Sequence, residues 1–145
     1  MSGRAPPERR AAYRHFLEIT TRWNDNDSYR HVNNAVYYEY FDTVVNEYLI
    51  ANGVLDLERS AIIGLAVETQ CRFFNPIAFP ARVHAGLRVA HLGNSSIRYE
   101  IGLFCDDQPT ASAQGHFVHV YVDRASNRPV QLPDALRAAL AALMV

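Results

Sequence analysis

The run Trp23-Asn24-Asp25-Asn26-Asp27-Ser28-Tyr29-Arg30-His31-Val32-Asn33-Asn34-Ala35-Val36-Tyr37 holds the residue types best suited to chemistry on a carbonyl group. Two carboxylates, Asp25 and Asp27, stand two positions apart just after an apolar, strand-like segment. A polar loop follows, and His31-Val32-Asn33-Asn34 opens a stretch with helical periodicity. A carboxylate beside a helix N-terminus can act as base or nucleophile. The N–H groups of the first helical turn lack partners inside the helix and can hold a developing oxyanion. A bare Asp-x-Asp is more often ordinary turn and cap chemistry; the longer pattern, through Tyr37, is what points to a site.

Competing chemistries fit less well. No Gly-x-Ser-x-Gly is present, which removes the nucleophile elbow of a serine hydrolase. His116 and His119 are three apart on an expected strand, so they point to opposite faces, and no metal is expected. Cys71 and Cys105 lie in apolar, strand-like segments and read as reduced, buried thiols. With no lysine among its 14 basic residues, the chain has no Schiff-base chemistry and no lysine phosphate clamp.

The elements that must position these residues follow from periodicity. Residues 15–22 alternate enough to form a strand leading into the loop. Residues 33–51 read as a helix: Val36, Tyr37, Tyr40, Phe41, Val44, Val45 and Tyr48 recur at three and four, with Asn33 as N-cap and Gly53 as stop. After Ser60 the period becomes two. Leu65, Val67, Thr69, Cys71 and Phe73 form one face of a strand that Asn75-Pro76 ends. Val83 to Val89 and Ile97 to Leu103 alternate on either side of a turn at residues 91–95. Residues 110–123 make a last long strand, and residues 133–144 a short Ala/Leu-rich helix. The fold class is therefore α+β: about five long antiparallel strands and one long helix buried against one sheet face. Glu68, Gln70, Arg72, Arg88, Arg98 and Glu100 are left on the other face. The polar residues 1–12 are expected to be a disordered tail, and residues 13–145 a single domain.

A net charge of -1 gives no footprint for nucleic acid or an anionic membrane. The first ten residues carry no apolar core of a signal peptide and no run approaches a membrane span, so the expected location is cytoplasmic.

On these residues and motifs the chain resembles hotdog-fold thioesterases of the 4-hydroxybenzoyl-CoA and acyl-CoA thioesterase group. The core of the likeness is Trp23-x-Asp25-x-Asp27-x-x-x-His31-Val32-Asn33-Asn34-x-x-Tyr37. The same run is similar to the motif of plant acyl-carrier-protein thioesterases. Arg72-Phe73-x-x-Pro76, Leu92-Gly93-x-Ser95-Ser96 and Gly115-x-x-Val118-x-Val120-x-Val122-Asp123 support it.

The resemblance implies a sheet wrapped around the central helix, subunits joined edge to edge as a dimer or tetramer, and sites at the subunit interface. It implies hydrolysis of an acyl-CoA thioester, coenzyme A being part of the substrate and no further cofactor being required. Asp27 maps onto the catalytic carboxylate, as base or nucleophile. Amides around Asn33 and Asn34 map onto the carbonyl-binding helix start, and His31 onto a supporting histidine. The asparagine of the plant pattern is Tyr29 here. Asn33 and Tyr37 are the candidate substrate contacts, although both also suit capping and packing. Asp25 is expected to hold the loop. Some relatives carry basic residues at Gly93-Asn94-Ser95-Ser96, which is uncharged here, so Arg30, Arg88, Arg98 or backbone amides are left to meet the coenzyme's phosphates. In another branch the acid is a helix glutamate, for which Glu39 and Glu47 are the candidates. The alternatives are a hotdog enoyl-CoA hydratase or dehydratase, whose Asp/His spacing does not match, and a non-catalytic acyl-CoA-binding module.

Overall fold

The computed structural model describes residues 5–145. Five strands form one antiparallel sheet: β1 (His15–Thr20), β2 (Ile62–Phe73), β3 (Arg82–Leu92), β4 (Ser96–Cys105) and β5 (Ala113–Asp123). Their spatial order is β1-β3-β4-β5-β2, which puts β1 and β2 on the edges. The long helix α1 (Asn34–Ala51) lies on one face, and the short helix α2 (Asp134–Ala141) closes the C-terminal side.

The α1 periodicity translates directly into burial. Val36, Tyr37, Tyr40, Phe41, Val44, Val45, Tyr48 and Leu49 are its buried residues. They meet the inward alternates of the central strands, Val83, Ala85, Leu87, Val89, Ile97, Tyr99, Ile101 and Leu103, all fully buried. Asn33 caps the helix by accepting from the Ala35 N–H at 2.9 Å. At the other end Gly53 takes φ +71°, the left-handed conformation that suits glycine after a helix.

β2 departs from the simple alternation. Leu65 pairs with Val120, but Ala66 pairs with His119 and Glu68 with Val118, so Val67 is an extra, bulged residue. The bulge reverses the phase: Thr69, Cys71 and Phe73 share the helix side with Gly64 and Ala66, while Leu65 turns to the outer face. Two small residues thus occupy inward positions over the first half of β2. As an edge strand it also leaves Leu65 (41%), Val67 (60%) and Phe73 (38%) exposed.

The tail expected to be disordered is held from Glu8 onward, while residues 1–4 lie outside the described residues. Glu8 bonds through its N–H to Gln114 Oε1 (2.8 Å) and through its carbonyl to the Ala111 N–H (2.9 Å). Arg10 reaches His84 Nδ1 at 2.7 Å and lies 5.0 Å above the Phe104 ring. The anchor is Tyr13, whose ring fills a slot on the outer face over Gly86 and Gly102, which pair across β3 and β4. A Cβ at Gly102 would stand 2.6 Å from that ring. Polarity alone did not reveal this docking surface, because glycines on facing strands create it.

Candidate active site

The loop between β1 and α1 is built around Asp25. Its carboxylate is 1% exposed and accepts from Arg22 N–H (2.9 Å), Arg22 Nε (2.9 Å) and the Tyr40 hydroxyl (2.7 Å). Burial would raise its pKa, but the hydrogen bonds from Arg22 and Tyr40 outweigh burial and hold it below the usual carboxylate range. Its carbonyl accepts the Asn33 N–H at 2.9 Å. Asp25 therefore ties the end of β1 to both the cap and the second turn of α1.

Asp27 sits in a different environment. It is half-buried, and the loop folds back on itself there: its N–H donates to His31 O (2.9 Å), and its carbonyl accepts from Arg30 N–H (3.0 Å). Asn26 and Val32 bridge across the base, and Arg30 turns the tip with φ 67°. One carboxylate oxygen, Oδ1, accepts the Tyr29 N–H at 2.8 Å. Oδ2 has no hydrogen bond among the described residues.

Asp27, His31, Asn34 and Tyr37 all line one cleft of about 450 Å³. The far wall is Phe73 to Pro76, where Asn75-Pro76 ends β2. The chain then returns so that Ile77 accepts the Val32 N–H at 2.7 Å. Tyr37 meets the Phe73 ring edge-to-face at 4.9 Å. This wall was present in the sequence as Arg72-Phe73-x-x-Pro76, but nothing there said that it faces Asp27.

The helix start divides its donors unequally. The Asn33 N–H is taken by Asp25 O, and the Ala35 N–H by the Asn33 side chain. The Val36 N–H goes to Asn33 O. The Asn34 N–H has no acceptor among the described residues, and Asn34 lines the cleft. Asn33 does not line it.

Other candidates lie elsewhere. Glu39 is exposed, 3.7 Å from Arg22 Nη2, and Glu47 bonds His15 at 2.8 Å; neither lines the cleft. Arg88 and Arg98 are on the outer sheet face, both bonded to Glu100 (2.8 and 3.0 Å). Of the three arginines considered for phosphate, Arg30 alone is at the Asp27 locus. With Trp23, Asn26 and Phe79 it lines a second recess that Asp27 borders. The turn at Gly93 and Asn94 is tied down by Arg137 (2.9 Å) and Leu132 N–H (2.9 Å). His116 bonds Glu68 at 2.6 Å on the outer face, whereas His119 is on the inner one. Among the described residues no three His, Cys, Asp or Glu side chains converge as a metal cage.

A sheet wrapped on one long helix, with an acid loop at the helix start, is the hotdog architecture of thioesterases. The family model for the thioesterase-like superfamily matches residues 21–140, and the chain belongs to that superfamily. It is similar to the PA5185 protein from Pseudomonas aeruginosa strain PAO1, with 55% identity, a TM-score of 0.94 and coverage of 96% of this chain and 97% of that one. It is also similar to the PA2801 protein of Pseudomonas aeruginosa, a thioesterase candidate (35%, TM-score 0.80, 88% and 98% covered). A third likeness is to a thioesterase complexed with coenzyme A and Zn from Thermus thermophilus (27%, TM-score 0.76, 91% and 95% covered). No curated protein matches the chain.

Proposed function

We propose that the protein is a cytoplasmic acyl-CoA thioesterase, working as a homodimer or homotetramer, that cleaves its substrate to a carboxylic acid and coenzyme A. The observation that carries this is the juxtaposition of Asp27 and the uncommitted Asn34 N–H on one cleft. Asp27 supplies the base or nucleophile, and its Oδ2 is the oxygen left to act. As base it takes a proton from water, which attacks the thioester carbon; the C–S bond then breaks to release coenzyme A, whose thiolate takes up the proton. As nucleophile it displaces the coenzyme A thiolate to form a mixed anhydride that water then opens to the acid and free Asp27. The Asn34 amide holds the carbonyl oxygen as negative charge grows on it, helped by the positive end of α1. His31 borders the same cleft as a supporting group, Tyr37 as an acyl contact, and Asn33 acts through its cap. Coenzyme A enters as part of the substrate, in keeping with its presence in the Thermus relative. Arg30, which lines the recess that Asp27 borders, is the candidate cation for its phosphates.

The exposed apolar edge of β2 supports a dimer in which two β2 strands pair and extend the sheet. Among the described residues no helix is long and apolar enough to cross a membrane.

The test is hydrolysis of a panel of acyl-CoA thioesters, with released thiol trapped by a thiol reagent. Thiol release with saturating kinetics is expected. Hydration of an enoyl-CoA without thiol release, or tight binding without turnover, would replace this reading with one of its alternatives.

A further inference from the structure

A second cavity, of about 430 Å³, lies beside the last turns of α1, within the size range of small-ligand sites. Its walls are mainly apolar, with Leu49, Val54, Leu55, Ile62 and Leu136 among them. Two of its residues are polar and nearly sealed: His119 and Tyr121, 6% and 4% exposed. Neither ring nitrogen of His119 has a hydrogen-bond partner among the described residues: Nε2 is buried, and Nδ1 is the nitrogen that faces the cavity corner at Gly64. A group in that position costs stability unless something outside the chain satisfies it. Tyr121 shares a 2.6 Å hydrogen bond with Tyr99, so one of the two hydroxyl protons remains unspent.

Gly64 keeps this corner open. A Cβ there would stand 2.9 Å from Tyr121 Cζ and 3.0 Å from His119 Nδ1. Gly64 is inward because of the phase set by the bulge at Val67. Burial drives the His119 pKa down to about 4, against a weaker pull from Asp42, so the imidazole is neutral and offers one donor and one acceptor. Such a pocket suits an uncharged, mostly apolar group with one hydrogen-bonding function.

The position of the cavity says whose carboxylate it serves. Within one chain, Gly64 and the cleft residue Phe73 are nine residues apart on β2, roughly 30 Å along an extended strand. A short acyl group does not span that. When two β2 strands pair antiparallel over their full length, Ile62 lies opposite Phe73, and Gly64 opposite Cys71, about 5 Å away. The cavity of one subunit then adjoins the Asp27 cleft of the other.

We propose that this cavity receives the acyl group of the thioester held at the partner subunit's Asp27 cleft, and that His119 and Tyr121 select acyl groups carrying an uncharged hydrogen-bonding function such as a hydroxyl. This rests on the thioesterase reading for the identity of the ligand, but not for the existence of the site. Two measurements separate them.

The first follows His119 ring nitrogens by NMR during titration with hexan-1-ol, the signals assigned by their loss in His119→Phe. Saturable shifts are expected; none would overturn the site whether or not any thioester is cleaved. Shifts without hydrolysis of any thioester would leave the site standing and remove the catalytic reading.

The second compares kcat/KM for octanoyl-CoA with octanoyl-CoA carrying one hydroxyl at each carbon from the third to the eighth. The best hydroxylated isomer should be preferred about tenfold. His119→Phe should bring the ratio close to one, and His119→Gln should restore part of it. Asp27→Asn should slow both substrates without changing the ratio. A ratio that His119→Phe leaves intact would overturn the proposal. If His119→Phe does not fold, Gly64→Ala places a methyl group against the same ring and is expected to lower the same ratio.

Discussion

At the start of α1 a carboxylate, Asp25, is sunk to 1% exposure and kept ionised by Arg22 and Tyr40. Beside the last turns of the same helix an imidazole, His119, is sunk to 6% exposure and kept neutral by that burial, with no hydrogen-bond partner among the described residues. The first arrangement spends every contact on rigidity: Asp25 fixes the loop so that Asp27 can be left with an uncommitted oxygen. The second leaves a polar group unsatisfied in an apolar cavity, where a ligand can complete it. Buried polar groups are thus used in two ways, to hold a site in shape and to read what enters it.

The comparison breaks most readily at the helix start. Asn34→Pro removes the first-turn N–H that has no acceptor among the described residues, and proline fits that position of a helix. Its kcat should fall by about 10²- to 10³-fold, the worth of one oxyanion donor, with little change in melting temperature. Asn34→Ala keeps the amide and should be far milder. Equal activity of the two folded variants would remove this amide from the mechanism.

Val67→Glu puts a charge on the exposed edge of β2, where charged side chains block strand pairing. Sedimentation should show dissociation at micromolar concentration, and activity should fall with the fraction of dimer. A fully active monomer would separate the Asp27 cleft from the partner's cavity.

The two buried groups should also show up in different pH windows. His119 has its folded pKa lowered from 6.5 to about 4, so below 6.5 the unfolded chain binds a proton that the folded chain refuses. Stability is whole above 6.5 and falls as pH drops toward 4, by on the order of 2–3 kcal/mol. Asp25, lowered from 3.8, stabilises above that value and loses its contribution only as pH falls through its still lower folded pKa. Denaturant titrations across pH should therefore show a slope between 6.5 and 4 that His119→Phe flattens and Asp25→Asn does not. Identical slopes in the two variants would contradict the assignment.

Much of this was legible in the sequence, and what was not has definite causes. The buried face of α1 and the inward residues of β3 and β4 followed from period, because α1, β4 and β3 as far as Val89 each keep one phase; the register of β3 shifts only beyond Val89. β2 did not, because the bulge at Val67 reverses its phase, and a bulge leaves no mark in hydropathy. The loop acids were legible as a pair, with Asp25 expected to hold the loop; the contact by which it reaches the helix, from Tyr40 across 15 residues, was not. The helix start was placed correctly, yet what separates Asn33 from Asn34 is that Asp25 O occupies the Asn33 amide and that only Asn34 lines the cleft. His119 read only as facing the opposite side of its strand from His116; that it is the inward one, and that it lacks a partner among the described residues, depends on its neighbours.

The central claim is that Asp27 performs the chemistry while Asp25 holds it in place. It is tested most directly by kcat for thioester hydrolysis in Asp27→Asn, set beside Glu39→Gln and Glu47→Gln. The amide is close to isosteric with the acid but is neither a useful base nor a nucleophile, so the rate should fall by about 10²-fold or more with the fold intact. Near wild-type kcat in Asp27→Asn, with loss in either glutamate variant, would contradict the account and move the reacting carboxylate onto the helix.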